Sequence, residues 1–156
     1  MIKLTRIDDR LVHGQVAFTW VPSLGVDTLI IANDKVAKDE FMKMTLGLAK
    51  PAGTKLLIKS VADSVIFLND EKNKSLKILV LINSVKDAYA LANGVEDVKS
   101  INFGGIRLKE GAKLISKAVA ITEEDKPMLG ELAGKGIELE IRQVPTDTKQ
   151  SVAGLI

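Results

Sequence analysis

The feature that most constrains this fold is a short apolar run with a helix-start signal directly behind it, repeated along the chain. "KLLIK" (Lys55 to Lys59) leads into "SVAD" (Ser60 to Asp63), and "LKILVLIN" (Leu76 to Asn83) leads into "SVKD" (Ser84 to Asp87). "TEED" (Thr122 to Asp125) repeats the signature after "AVAI". In each, a hydroxyl stands three residues before a carboxylate. The hydroxyl can accept from an unpaired backbone N–H, and the carboxylate suits the positive end of a helix. "TLIIA" (Thr28 to Ala32) is a continuous apolar run of the kind that forms a strand buried on both faces.

The other segments fit the same alternation. "IKLTRI" (Ile2 to Ile7) reads as a strand. From Val12, apolar residues recur with helical spacing at Val16, Ala17, Trp20 and Val21, and Pro22 to Gly25 close the segment. Phe41, Met44 and Leu48 predict the apolar stripe of a second helix, ended by "KPAG" (Lys50 to Gly53). "KILVLI" is the best candidate for the sheet centre. "SINF" (Ser100 to Phe103) is a weaker strand. Ala112 to Thr122 reads as two short strands or a turn, Ile137 to Val144 as a late strand, and the tail after Pro145 as one helical turn. Alternating strands and short connections predict an α/β fold. It is a single domain over residues 1–156, with a mostly parallel central sheet and helices on both faces.

The composition narrows the chemistry. Hydrophobic residues make up 46% of the 156 and charged residues 27%, values of an ordinary globular protein. The net charge is +2 and aromatics are 4%, which argues against a nucleic-acid partner. Cysteine is absent, so disulfides, thiolate metal sites and a cysteine nucleophile are excluded. A single histidine rules out a clustered-histidine zinc site, and no metal or other cofactor is expected. No secretory signal and no apolar run of about 20 residues are visible, which predicts a cytoplasmic protein that meets a membrane only through a partner.

That single histidine, His13, lies in "RIDDRLVHGQ" (Arg6 to Gln15), directly after the first strand. In α/β sheets, ligands gather beyond the carboxyl ends of the strands, at a switch in strand order. Gly14 carries no side chain to obstruct an approaching group. Free N–H groups at the following helix start favour an anion. Arg10 offers a planar fork of donors to phosphoryl oxygens. Asp8 and Asp9 can orient Arg10 or accept from the imidazole, but would repel an anion they faced. A neutral imidazole nitrogen is a good nucleophile near neutral pH. The set suits a histidine that carries a phosphoryl group without a metal. Spacing alone does not separate that reading from an anion-binding or structural histidine.

The segment Ile7 to Val16, "IDDRLVHGQV", resembles the active-site motif of the IIB subunits of the mannose/fructose/sorbose family of the bacterial sugar phosphotransferase system. Chain length, order of segments and "NFGG" (Asn102 to Gly105) extend the resemblance to the whole chain. It implies a phosphoryl carrier, a protein-histidine–sugar phosphotransferase. The acceptor would be His13, through Nδ1, and the donor a phosphohistidine on a IIA protein or domain. The group would pass to sugar brought in by the membrane components IIC and IID, with the carrier held peripherally at the inner membrane face. Arg10, Asp9, Gly14 and Gln15 are the expected phosphoryl-binding residues. Ser84, at the end of the central strand, is either a further donor or only a helix cap. A module that binds anions without phosphoryl turnover is the alternative. Gly104 and Gly105 read as turn-formers, Arg107 as solvated and Trp20 as core.

Overall fold

The computed structural model describes residues 1–156. Nine strands form in chain order: β1 (Ile2–Asp8), β2 (Thr28–Ala32), β3 (Lys55–Lys59), β4 (Ile78–Ile82), β5 (Ser100–Gly105), β6 (Ala112–Leu114), β7 (Ala120–Thr122), β8 (Glu138–Ile141) and β9 (Gln150–Ser151). Seven make one sheet in the order β3-β2-β4-β1-β5-β8-β9, parallel except for the last pair. β6 and β7 pair as a separate antiparallel hairpin, the two short strands expected there. The strand "ILVLI" is interior, between β2 and β1, but β1 holds the middle place of the seven.

Side chains alternate across this sheet, so its two faces make two cores. Ile7, Ile30, Val80, Ile82 and Phe103 face α4 (Val61–Asn69), α5 (Val85–Gly94) and α6 (Asp125–Gly134). Leu4, Leu29, Ile31, Leu79 and Leu81 face the helical segment after His13, together with α2 (Asp34–Ala37) and α3 (Glu40–Leu48). The connection after β1 therefore covers one face, and the connection after its neighbour β4 covers the other. The two diverge at the carboxyl ends of adjacent strands, which is the switch point where such sheets open a crevice.

The cap signatures act as the sequence implies. Ser60 Oγ accepts from the N–H of Asp63 at 3.0 Å, and Ser84 Oγ from that of Asp87 at 3.2 Å. Thr122 and Asp125 bond reciprocally at 3.2 and 3.0 Å, but the box closes a turn over Glu123 and Glu124, and α6 starts at Asp125.

Other expectations are corrected. The predicted stripe of α3 does not face the core: Phe41, Met44 and Leu48 are exposed, and Leu46 is the residue α3 buries. The capping Asp39 fixes where this helix starts, its carboxylate accepting from the N–H of Met42, and Leu46 is the residue that reaches the core on that side of the sheet. The late strand stops at Ile141, because the carbonyls of Arg142 and Gln143 turn inward to accept from Arg6. Past Pro145 the chain first adds β9 to the sheet edge, and only then forms the expected turn at Ala153–Leu155.

Candidate functional site at the end of the central strand

β1 ends at Asp8, and the backbone turns at once, with the N–H of Leu11 bonded to the carbonyl of Asp8 at 2.9 Å. Leu11 has φ 58°, in the left-handed region. For a non-glycine residue this costs about 1–2 kcal/mol. Its side chain is buried in the core beside Val12, and that burial offsets the strain. Two anchored apolar residues thus fix the path that delivers His13 to the start of the next helix.

That helix is not a regular α-helix. Val16–Trp20 form a π-helical turn that runs into α1 (Val21–Leu24). Pro22 has no N–H to donate, and it lies just after the widened turn. Gly25, with φ 65°, ends the segment. The carbonyl of His13 accepts from the N–H of Ala17 at 2.9 Å, so His13 caps the helix start. The N–H groups of Gly14 and Gln15 donate to no protein acceptor.

The imidazole of His13 is 16% exposed, enough for one edge to be reached from solvent. Its Nε2 lies 2.8 Å from Asp8 Oδ2. An ionised carboxylate only accepts, so in the neutral ring Nε2 carries the proton and Nδ1 keeps its lone pair. Asp8 is fully buried, and burial by itself would raise its carboxyl. The hydrogen bond to His13, the backbone N–H of Arg10 and the charges of His13 and Arg6 outweigh burial and hold the carboxyl below its ordinary range.

Of the expected phosphoryl-binding residues, Arg10 is half-exposed and touches Asp8 Oδ1 through Nε at 3.4 Å, so most of its fork is free. Gly14 is exposed, and a β-carbon there would meet nothing nearer than the Phe18 ring at 3.8 Å. Packing within the chain does not demand glycine at this position. Gln15 is half-buried beside it. Asp9 is engaged elsewhere: its Oδ2 accepts from the backbone N–H and Nε of Arg107 at 2.8 and 2.9 Å and ties the His13 loop to the end of β5. Arg107 is a solvated arginine as expected, its side chain 80% exposed while it holds Asp9. The register puts Ile7 beside Ile82, so Ser84 follows β4 on the strand next to the loop. Its oxygen is occupied as the cap of α5.

Sequence reasoning missed Arg6, the residue underneath. It is fully buried on β1, with Nη2 3.2 Å from Asp8 Oδ2. Its other contacts are Asn102 Oδ1 at 2.6 Å and the carbonyls of Arg142 and Gln143 at 3.0 and 3.2 Å. Trp20 is core as expected, with two guanidiniums over its ring, Arg6 at 5.0 Å and Arg142 at 5.1 Å from its centre. The glycine reading also changes. Neither Gly104 nor Gly105 has positive φ, and both lie within β5. A β-carbon on Gly104 would fall 2.1 Å from Arg6 Cζ, so the residue is small to admit the guanidinium. No sequence signal pairs this glycine with Arg6, because nothing local joins residues 6 and 104.

The comparisons with known proteins agree with this architecture. The chain belongs to the sorbose-subfamily IIB components of the phosphotransferase system, whose family model matches residues 2–156. It is 38% identical to a probable phosphotransferase enzyme IIB component of Streptococcus pyogenes serotype M6, over 100% of this chain and 99% of that protein. It is 35% identical to the mannose-specific EIIAB component of Escherichia coli K12, over 100% of this chain and 48% of the longer relative. The crystal structure of the IIBSor domain of the sorbose permease from Klebsiella pneumoniae superimposes with a TM-score of 0.93 at 29% identity, covering 99% of this chain and 94% of that one. The protein is thus a component of a sugar-transporting phosphotransferase system, in the transferase class. No helix is long and apolar enough to cross a membrane.

Proposed function

We propose that His13 is a phosphoryl carrier that takes the group on Nδ1 from a phosphohistidine of a IIA protein and gives it to a sugar. The observation that carries this reading is the 2.8 Å contact between Asp8 and Nε2, which leaves Nδ1 as the nucleophilic nitrogen. In the first step the Nδ1 lone pair forms a bond to phosphorus. The donor's N–P bond breaks, and its electron pair returns to the donor imidazole. His13 keeps its Nε2 proton, so the phosphorylated ring is cationic, and the buried carboxylate of Asp8 offsets that charge. In the second step a sugar hydroxyl oxygen bonds to phosphorus, Nδ1–P breaks, and the hydroxyl proton leaves to solvent. Nδ1 recovers its lone pair.

Arg10 holds the equatorial oxygens in transit, and the free N–H groups of Gly14 and Gln15 face the same charge. No metal and no other cofactor is needed in this scheme. The printed name of the Escherichia coli relative pairs IIA with IIB, which supports a IIA donor. The sugar is delivered by membrane components of the IIC and IID kind, and binding to them holds residues 1–156, as one IIB unit, at the inner membrane face.

The test is incubation with a phosphorylated IIA donor of this family. The wild-type chain gains one acid-labile phosphoryl group and His13→Ala gains none, while both keep the same far-ultraviolet circular dichroism. Equal labelling of the two, or none of the wild type, overturns the proposal.

A further inference from the structure

Beneath the site, Asp8 is the end of a connected set of polar residues whose other members the phosphoryl chemistry above does not use. Arg6, Asn102, Glu140 and Asp8 are all buried, on β1, β5 and β8. Glu140 accepts from Asn102 Nδ2 at 3.0 Å and from Arg142 Nη2 and Nε at 2.9 and 3.0 Å. Asn102 in turn accepts from Arg6 Nη1 at 2.6 Å. The Arg6 guanidinium occupies the space a side chain at residue 104 would take, between β5 and the Trp20 ring. A buried guanidinium with four acceptors around it cannot swing, so its Nη2 is a fixed point against Asp8.

Asp8 Oδ2 is shared. It accepts from Arg6 Nη2 at 3.2 Å and faces His13 Nε2 at 2.8 Å. Oδ1 takes the backbone N–H of Arg10 at 3.1 Å. Without Arg6, Asp8 would be a carboxylate with no exposure, left with the His13 ring, the backbone N–H of Arg10 and the half-exposed Arg10 side chain as its one permanent cation, and burial of that kind favours protonation. A protonated Asp8 can donate to the ring, and the imidazole proton then has no reason to stay on Nε2.

We infer that Arg6, seated by Gly104, is a positioning residue that selects the Nε2–H tautomer of His13 by keeping Asp8 charged and aimed at the ring. This rests on the reading of His13 as the phosphoryl acceptor for its consequence, but not for its geometry. Arg6 touches no reacting atom. It acts through Asp8 alone, as the outer partner of a carboxylate–histidine pair does.

The test uses the full chain with ¹⁵N-labelled histidine, which gives one pair of ring resonances because His13 is the only histidine. Ring nitrogen shifts are recorded where the imidazole is neutral, beside the rate of phosphoryl uptake from phosphorylated IIA. The variants are Arg6→Lys, which keeps a buried charge but loses the fork, and Gly104→Ala, which drives a methyl into the guanidinium and alters no charge. Glu140→Gln is the control, since Glu140 supports the network without touching Arg6 or Asp8. Wild type and Glu140→Gln are expected to hold the proton on Nε2. Arg6→Lys and Gly104→Ala should move to a mixed population and slow uptake at least about tenfold, the lower end of outer-partner effects.

An unchanged tautomer in Arg6→Lys and in Gly104→Ala overturns the inference. So does an equal change in Glu140→Gln, which would make the effect general loosening. If one variant does not fold, the other decides. If neither folds, Arg6→Gln in the wild-type backbone is read by the same criterion. A wild-type chain that takes up no phosphoryl group removes the carrier function, and the tautomer measurements still decide the role of Arg6.

Discussion

Asp8 and His13 are five residues apart, yet the last side chain of β1 and the first ring of the next helix meet at 2.8 Å because the intervening turn folds back over Leu11. Asp8→Asn keeps the shape and removes the charge, so the ring proton is no longer pinned and the cationic phosphorylated ring loses its counter-charge. Uptake from phosphorylated IIA should fall by about 10²-fold or more, towards the 10⁴ that a wrong tautomer can cost. Stopped uptake assays with equal folded protein check this, and a rate within threefold of wild type would refute it.

Acid should unfold the protein partly through Asp8. Its folded carboxyl sits below the ordinary aspartate range of about 3.9, held down by His13, Arg10 and Arg6 against burial. A depressed carboxyl contributes stability above its unfolded value and loses it as pH falls through the folded one. Urea midpoints should therefore drop below about pH 4 in wild type. Asp8→Asn should be less stable at pH 7, with a flatter acid limb, and parallel curves would contradict the account.

Arg10 has two readings with different signatures. As a phosphoryl ligand its loss is kinetic: Arg10→Ala should slow transfer by about 10²-fold, the scale for one preorganised donor, and Arg10→Lys should restore only part. As a loop brace its half-exposed contact with Asp8 contributes about 0–1 kcal/mol. Urea stability should thus barely move while the rate falls. A rate loss matched by unfolding assigns Arg10 to the loop.

Ser84 divides the opposite way. Its oxygen already accepts from the N–H of Asp87, so Ser84→Ala should cost about 1 kcal/mol of stability, as lost caps do. Transfer should stay within about threefold of wild type by the same logic, since a donor's loss would cost about 10². A loss on that larger scale would place the hydroxyl on the phosphoryl group.

Much of this molecule is written in local sequence. The run "ILVLI" and the serines and threonine at 60, 84 and 122 need only their neighbours to act, since a cap closes within four residues and a buried strand announces itself by composition. His13 stands out for the same reason: it is unique, follows a strand, and precedes a glycine and a helix start. Asp8 was legible as one of two candidates, and the choice between it and Asp9 was not.

Tertiary structure made that choice by supplying partners from far along the chain. Arg107 draws Asp9 towards β5, and Arg6 holds Asp8 under the ring. Arg6 itself carries no local signal of burial. It is buried only because Asn102, 96 residues later, and the carbonyls at 142 and 143 converge on it, and because residue 104 is glycine. The outward face of α3 escaped for a related reason, since a stripe of three apolar residues fixes helical period but not which side the sheet will take. Sequence by itself set what forms within one turn or one strand, where the partners are adjacent. Which buried charge meets which was settled only when β1, β5 and β8 came into register, because a charge inside the protein is stable only beside partners that the chain brings there by folding.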